Sequence, residues 1–202
     1  MNKSFTIINK VFLLAVVLLA SYMVIQGGNT SSSLALGAYT VGFGILVVTG
    51  IMMIILGYAS LDSRVVVVLA ALIPLGISLG MVNQFFPQYT TGYSLFCAAG
   101  IFAIGLSRFL KNVRAAALIL AFFHGISGFV IFVLPVILQA EAAAPTAFLW
   151  VSLGGLIMGI GGLFHLYART RKTTEKSASM ALILPSLLLV STAAFVIGFT
   201  GI

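Results

Sequence analysis

Carboxylates are scarce in this 202-residue chain: Asp62, Glu141 and Glu175 are the only three, and each is assigned to a loop between apolar runs. With none inside an apolar run, a catalytic carboxylate pair, a carboxylate-rich metal site and the intramembrane carboxylates of pumps and secondary transporters all lack their residues. The single cysteine, Cys97, excludes an intrachain disulfide and reads as a small packing residue. No phosphate-binding glycine loop, no nucleophile beside a base and no metal-ligand cluster is visible, so an enzyme is not expected and no catalytic, metal or cofactor-binding residue is assigned.

What the chain has instead is apolar length. Charged residues make up 6% and hydrophobic ones 61%, with a mean hydropathy of +1.24, whereas soluble domains carry about 25% charge. This composition predicts an all-α, polytopic transmembrane helical bundle forming a single domain over residues 1–202. A span needs about 20 apolar residues. Seven segments qualify, at about 6–26, 34–58, 65–83, 93–110, 115–138, 147–168 and 179–201. The first follows Lys3 and Lys10 but lacks a small-residue cleavage site, so it reads as a retained anchor. The seventh contains no lysine, which excludes a retinal Schiff base.

The net charge of +7 comes from ten Lys and Arg residues in short clusters. Lys3 and Lys10 flank the start of span one, Arg64 lies between spans two and three, Arg108, Lys111 and Arg114 surround the turn after span four, and Arg169, Arg171, Lys172 and Lys176 follow span six. Alternate connections hold every one of them, while GGNTSSS, QFFPQYTTG and QAEAAAPTA hold none. That placement describes topology, not a nucleic-acid patch: the N-terminus is expected in the cytoplasm and the C-terminus outside. Tyr39, Tyr89, Tyr93 and Trp150 near the outer ends of spans, with Tyr58 and Tyr167 near the inner ends, fit interfacial aromatic belts.

The chain also repeats itself. LIPLGISLGMVNQFFP at 72–87 is echoed by AFFHGISGFVIFVLP at 121–135, with Gly76, Ile77 and Ser78 matching Gly125, Ile126 and Ser127 and each copy closing on a proline, Pro87 or Pro135. A Gly-rich span and a charged turn precede each copy, and FLWVSLGGLIMGIGGLFHLYARTRK opens a third unit. The unit is a helical hairpin of about 50 residues. Small residues at helical spacing mark expected packing or docking faces: Gly76 and Gly80; Ala99, Ala103 and Ser107; Gly155 and Gly159. Pro74 and Pro185 fall inside spans.

Taken over about residues 8–175, this order of Gly-rich span, basic turn, second span near a proline and next Gly-rich span resembles the acid-resistance membrane protein family of HdeD type, small polytopic proteins of bacteria and archaea. The resemblance implies a prokaryotic cell membrane and a link to stress there. It carries no catalytic residues, and span seven departs from the six-span family pattern.

Two histidines stand out. His124 lies about 15 Å into span five, near the midplane, where ionisable groups are functional candidates, and the matching repeat position is Leu75. A neutral imidazole hydrogen-bonded to a neighbouring carbonyl or serine is the structural alternative. His165 lies about 6 Å from the inner end of span six, and counting from span ends separates the two in depth by about 9 Å, which argues against a bridging haem. Phe85, Phe86 and Tyr89 make the outer loop between spans three and four a candidate contact surface for a partner or a quinone-like ring. Three functions follow: a non-enzymatic, stress-related or structural membrane protein, alone or as a homo-oligomer; an accessory subunit of a larger membrane complex, such as a respiratory one; or a channel or carrier for a small neutral solute with His124 in its path.

Overall fold

A computed structural model describes residues 6–57, 60, 63–170 and 174–201, with the side chains of 163–182 outside the description. Among these residues the chain forms seven helices and no strand: α1 Ile7–Gln26, α2 Ser33–Leu56, α3 Arg64–Phe85, α4 Thr90–Ser107, α5 Val113–Ala140, α6 Leu149–Thr170 and α7 Thr174–Thr200. Six of them are long and apolar enough to cross a membrane, and a shorter apolar stretch, Thr146–Gly162, joins the turn before α6 to the part of α6 whose side chains are described. The protein is an all-α polytopic bundle of the integral membrane class.

Polar residues set several helix starts. The side chains of Thr6, Ser32 and Asn112 accept hydrogen bonds from backbone amides of the first turns of α1, α2 and α5, satisfying donors the helix itself leaves unpaired. At the other end of α1, Gly27 and Gly28 adopt φ of 65° and 67°, left-handed values that glycine takes without steric cost.

Three boundaries differ from the sequence reading. Helix α4 occupies 90–107 and not 93–110, because it begins directly after the turn Pro87–Tyr89 and the Arg108 amide caps it on the Gly105 and Leu106 carbonyls. Pro87 indeed lies beyond α3, but Pro135 lies inside α5, which continues to Ala140; a proline removes one amide and is tolerated within membrane helices. Helix α7 starts at Thr174, so Glu175 is helical and not in a loop. Glu141 is at the C-cap of α5, as a loop assignment requires, and Asp62 lies outside the described residues. Pro74 and Pro185 are inside α3 and α7.

Helices α1, α2, α3, α5, α6 and α7 pack in that order and close into a ring through α1 and α7, with α4 outside against α3 and α5. The largest core fills the ring at the end whose connections carry no lysine or arginine, here the lysine-free end; the opposite one is the basic end. Tyr39 and Phe43 of α2, Phe148 before α6 and Phe199 of α7 are all fully buried there. Their rings meet edge to face, Tyr39–Phe199 at 5.1 Å, Phe43–Phe199 at 5.9 Å and Phe148–Phe199 at 5.8 Å between centroids. Toward the basic end the packing divides into a cluster of Ala71, Leu75, Cys97 and Ile104 and another of Leu13 and Met53.

Glycines set the closest approaches. A methyl group at Gly76 would stand 2.7 Å from the Ala38 carbonyl oxygen and 2.9 Å from the Gly42 amide, so α2 and α3 touch backbone to backbone. Replacing Gly76 by Ala is expected to lower stability by about 1–3 kcal/mol through overpacking, whereas Gly44→Ala, with open space around it, should cost nothing. Thermal unfolding of both variants in detergent checks this; equal midpoints would refute the close α2–α3 contact.

Candidate functional site

Helix α5 divides the polar features of the bundle between its two sides. On the side of α3 and α4 lies an apolar cleft of about 330 Å³, lined by Val82, Phe86, Tyr89, Tyr93, Phe129, Val130, Val133, Leu134 and Ile137. It belongs to the lysine-free half. Behind its apolar lining three hydroxyls gather. Tyr93 donates to Ser78 Oγ at 2.9 Å, and Ser78 donates to the Pro74 carbonyl at 2.6 Å. Ser127 is fully buried, and its hydroxyl lies against the Tyr93 hydroxyl, whose oxygen remains able to accept.

Ser78 and Ser127 are the matching serines of the two repeats, so the repeated tripeptide carries a physical meaning: its serines converge from α3 and α5 on one tyrosine. Its glycines do not behave alike. Gly76 is pressed against α2, while around Gly125 there is nothing within 4 Å.

On the α6 side, α5 is held at the lysine-free half. A methyl at Gly155 would stand 3.0 Å from Ile131, and the Ser152 hydroxyl donates to the Phe132 carbonyl at 2.6 Å. Toward the basic end the same stripes are open: Gly125 and Gly128 on α5 and Gly159 and Gly162 on α6 have nothing within 4 Å. His124 stands in this crevice, about 16 Å from the start of α5. Its side chain is exposed, and no hydrogen bond is made to it among the described residues.

The side chain of His165 lies outside the described residues, as do Tyr58, Tyr167 and the basic side chains after α6. Among the described residues no three His, Cys, Asp or Glu approach one another, and one described imidazole defines no haem or metal site.

The expected packing faces fare unevenly. Gly76, Gly80 and Gly155 pack as predicted, Gly80 against the Tyr39 ring. On α4 the buried face is Cys97, Gly100, Ile104 and Ser107, so Ala99 is exposed and Ala103 only half-buried; the close contact is Gly100 against Phe123, at 2.7 Å for an added methyl. Ser107, on that buried face, also holds the turn that follows. It accepts from Arg108 at 2.8 Å while the same guanidinium reaches the Ala116 carbonyl at 2.7 Å, which ties the α4–α5 turn; partial burial lowers the Arg108 pKa from its ordinary value. Gly159 is exposed and is not a packing residue.

The outer-loop residues separate as well. Phe85 turns inward to Phe148 at 5.1 Å, whereas Phe86 lines the cleft with Tyr89, and Tyr89 is 64% exposed. Two expected belt residues belong elsewhere: Tyr39 is in the core, donating to Gln84 Oε1 at 2.8 Å, and Tyr93 is the cleft tyrosine. Tyr89 and Trp150 remain exposed.

No family model matches the chain, and neither a curated protein nor a solved structure shows similarity to it.

Two substitutions test the assignments. Tyr93→Phe removes a donor and is expected to cost about 0.6–1 kcal/mol. His124→Leu, which installs the residue of the matching repeat position, removes no described bond and should leave the unfolding midpoint of the single chain unchanged. A lower midpoint for His124→Leu would mean that the imidazole is structural.

Proposed function

We propose that this chain is a non-enzymatic structural protein of a prokaryotic cell membrane, cytoplasmic at its N-terminus and exterior at its C-terminus, that works as a homo-oligomer joined through the α5–α6 crevice. The observation that carries the reading is His124, exposed at mid-depth between open glycine faces and without a hydrogen bond among the described residues. A polar ring facing hydrocarbon is costly, so such positions face protein or water. Two properties suit a second copy. An imidazole donates at one nitrogen and accepts at the other, so two copies of His124 across a twofold axis satisfy one another. Glycine faces such as Gly125 with Gly128 and Gly159 with Gly162 are likewise self-complementary and admit close backbone approach.

The filled aromatic centre of the ring weighs against a channel along the bundle axis. The orientation rests on the basic turns, and the stress link rests on the resemblance to the HdeD-type family.

Native mass spectrometry of the protein released in mild detergent is expected to show a homo-oligomer. His124→Leu and Gly159→Leu should shift it to the single chain without loss of folding. A lone wild-type chain overturns the reading, and a complex with other polypeptides replaces it with the accessory-subunit function. Cysteine labelling from either face, after Cys97→Ala, is expected to place residue 111 inside and residue 142 outside.

A further inference from the structure

We infer that the turn between α4 and α5 is a binding site for one anionic phospholipid of the leaflet at the basic end, its phosphate held by Arg108, Lys111 and Arg114 and its acyl chains laid along the two helices. This goes beyond the assembly proposed above and uses the α4 side of α5, away from the α5–α6 crevice.

The turn concentrates positive charge where the chain offers nothing to neutralise it. Three cations fall within residues 108–114, which contain no acid. The side chains of Lys111 and Arg114 are exposed and make no hydrogen bond or ion pair among the described residues. Glu141, the one carboxylate whose side chain is described, stands at the opposite end of α5. Arg108 is fixed by Ser107 Oγ at 2.8 Å and the Ala116 carbonyl at 2.7 Å, neutral acceptors that orient its guanidinium and leave its charge uncancelled. Asn112 already takes the Arg114 and Ala115 amides, so side-chain cations, not the open end of α5, attract the anion.

Depth selects a lipid. Helix α4 has 18 residues and so reaches about 27 Å, slightly less than a hydrocarbon core of about 30 Å. The turn is therefore held at the edge of the core, next to the phosphate layer, and not out in the aqueous phase. Phe109 and Val113 flank it with 80% and 79% of their surface exposed, which suits acyl chains and not water. Beyond Arg114, Leu118 and Phe122 follow at four-residue spacing along the same exposed face of α5, and Phe102 and Leu106 lead up to Phe109 on α4. Phe122 meets Phe96 of α4 at 6.4 Å, so the two apolar stripes run side by side beneath the cations. A soluble anion would use the cations alone, and a zwitterionic headgroup would bring a further cation into a site that already has three.

Native mass spectrometry of the delipidated full chain in detergent, titrated with palmitoyl-oleoyl phosphatidylglycerol or with phosphatidylcholine of the same chains, measures both affinities. One phosphatidylglycerol per chain is expected, bound about tenfold or more tighter than phosphatidylcholine. Each basic group near the lipid surface is worth about fivefold. Lys111→Gln with Arg114→Gln should therefore weaken phosphatidylglycerol about thirtyfold and remove the preference, with Arg114→Gln alone, at about fivefold, as the second variant should the pair fail to fold. Lys3→Gln with Lys10→Gln, the same loss of charge in another basic cluster, should leave the preference unchanged, and millimolar glycerol 3-phosphate should displace nothing. The proposal is overturned by equal affinity for the two lipids, or by full affinity in the folded Arg114→Gln variants. It is also overturned by an equal loss in the Lys3 and Lys10 variant, which would mean attraction by net charge alone, or by displacement with glycerol 3-phosphate, which would make the site one for a soluble phosphate. None of these outcomes bears on whether the chain forms homo-oligomers.

Discussion

The burial of Tyr39 is the constraint on which the lysine-free half of the bundle depends. Its ring occupies a space that exists only because Gly28 and Gly80 lack side chains, a methyl at Gly28 falling 2.7 Å from the ring. Its face meets Phe199, and its hydroxyl reaches Gln84. One side chain thus joins the turn after α1, the start of α2, the end of α3 and the end of α7. In lipid, where hydrophobic driving force between helices is weak, such close packing and a satisfied hydroxyl supply what apolar burial supplies in water. The neighbouring network, with Ser32 bonded to Asn83 and Asn83 to Thr90 at 3.1 Å, extends the same tie to α4.

Much of the fold was legible in composition and periodicity. Seven apolar runs became seven helices, and capping residues such as Ser32 and Asn112 sit where a sequence reader would put helix starts. Side-chain direction was not legible. Helices buried in lipid are apolar on every face, so pattern does not tell the bundle side from the lipid side. That is why Tyr39 and Tyr93 read as belt residues, and why Ala99 and Ala103 read as a packing face although Gly100 is the residue in contact. The polar site was half visible: the repeat marked Ser78 and Ser127 as equivalent, but only the fold brings Tyr93 between them.

The asymmetry of the repeat explains where function is to be sought. In the first hairpin Gly76 lets α2 lie directly on α3. In the second, Gly125 has no such partner: α4 crosses α5 at Gly100 and Phe123 instead, on the side away from α6. Swinging α4 off that face leaves two openings on α5, the cleft toward the lysine-free end and the crevice toward the basic end.

The same displacement accounts for the difference between the two serines. Ser78 turns its hydroxyl back onto its own helix and receives Tyr93. Ser127 sits at the matching position without a bond back onto its own helix, and its hydroxyl lies against Tyr93 instead. His124 repeats the difference one turn away, since Leu75 occupies the matching place in the closed hairpin. Both differences fall on α5, whose first-unit counterpart α3 is closed against α2 at Gly76.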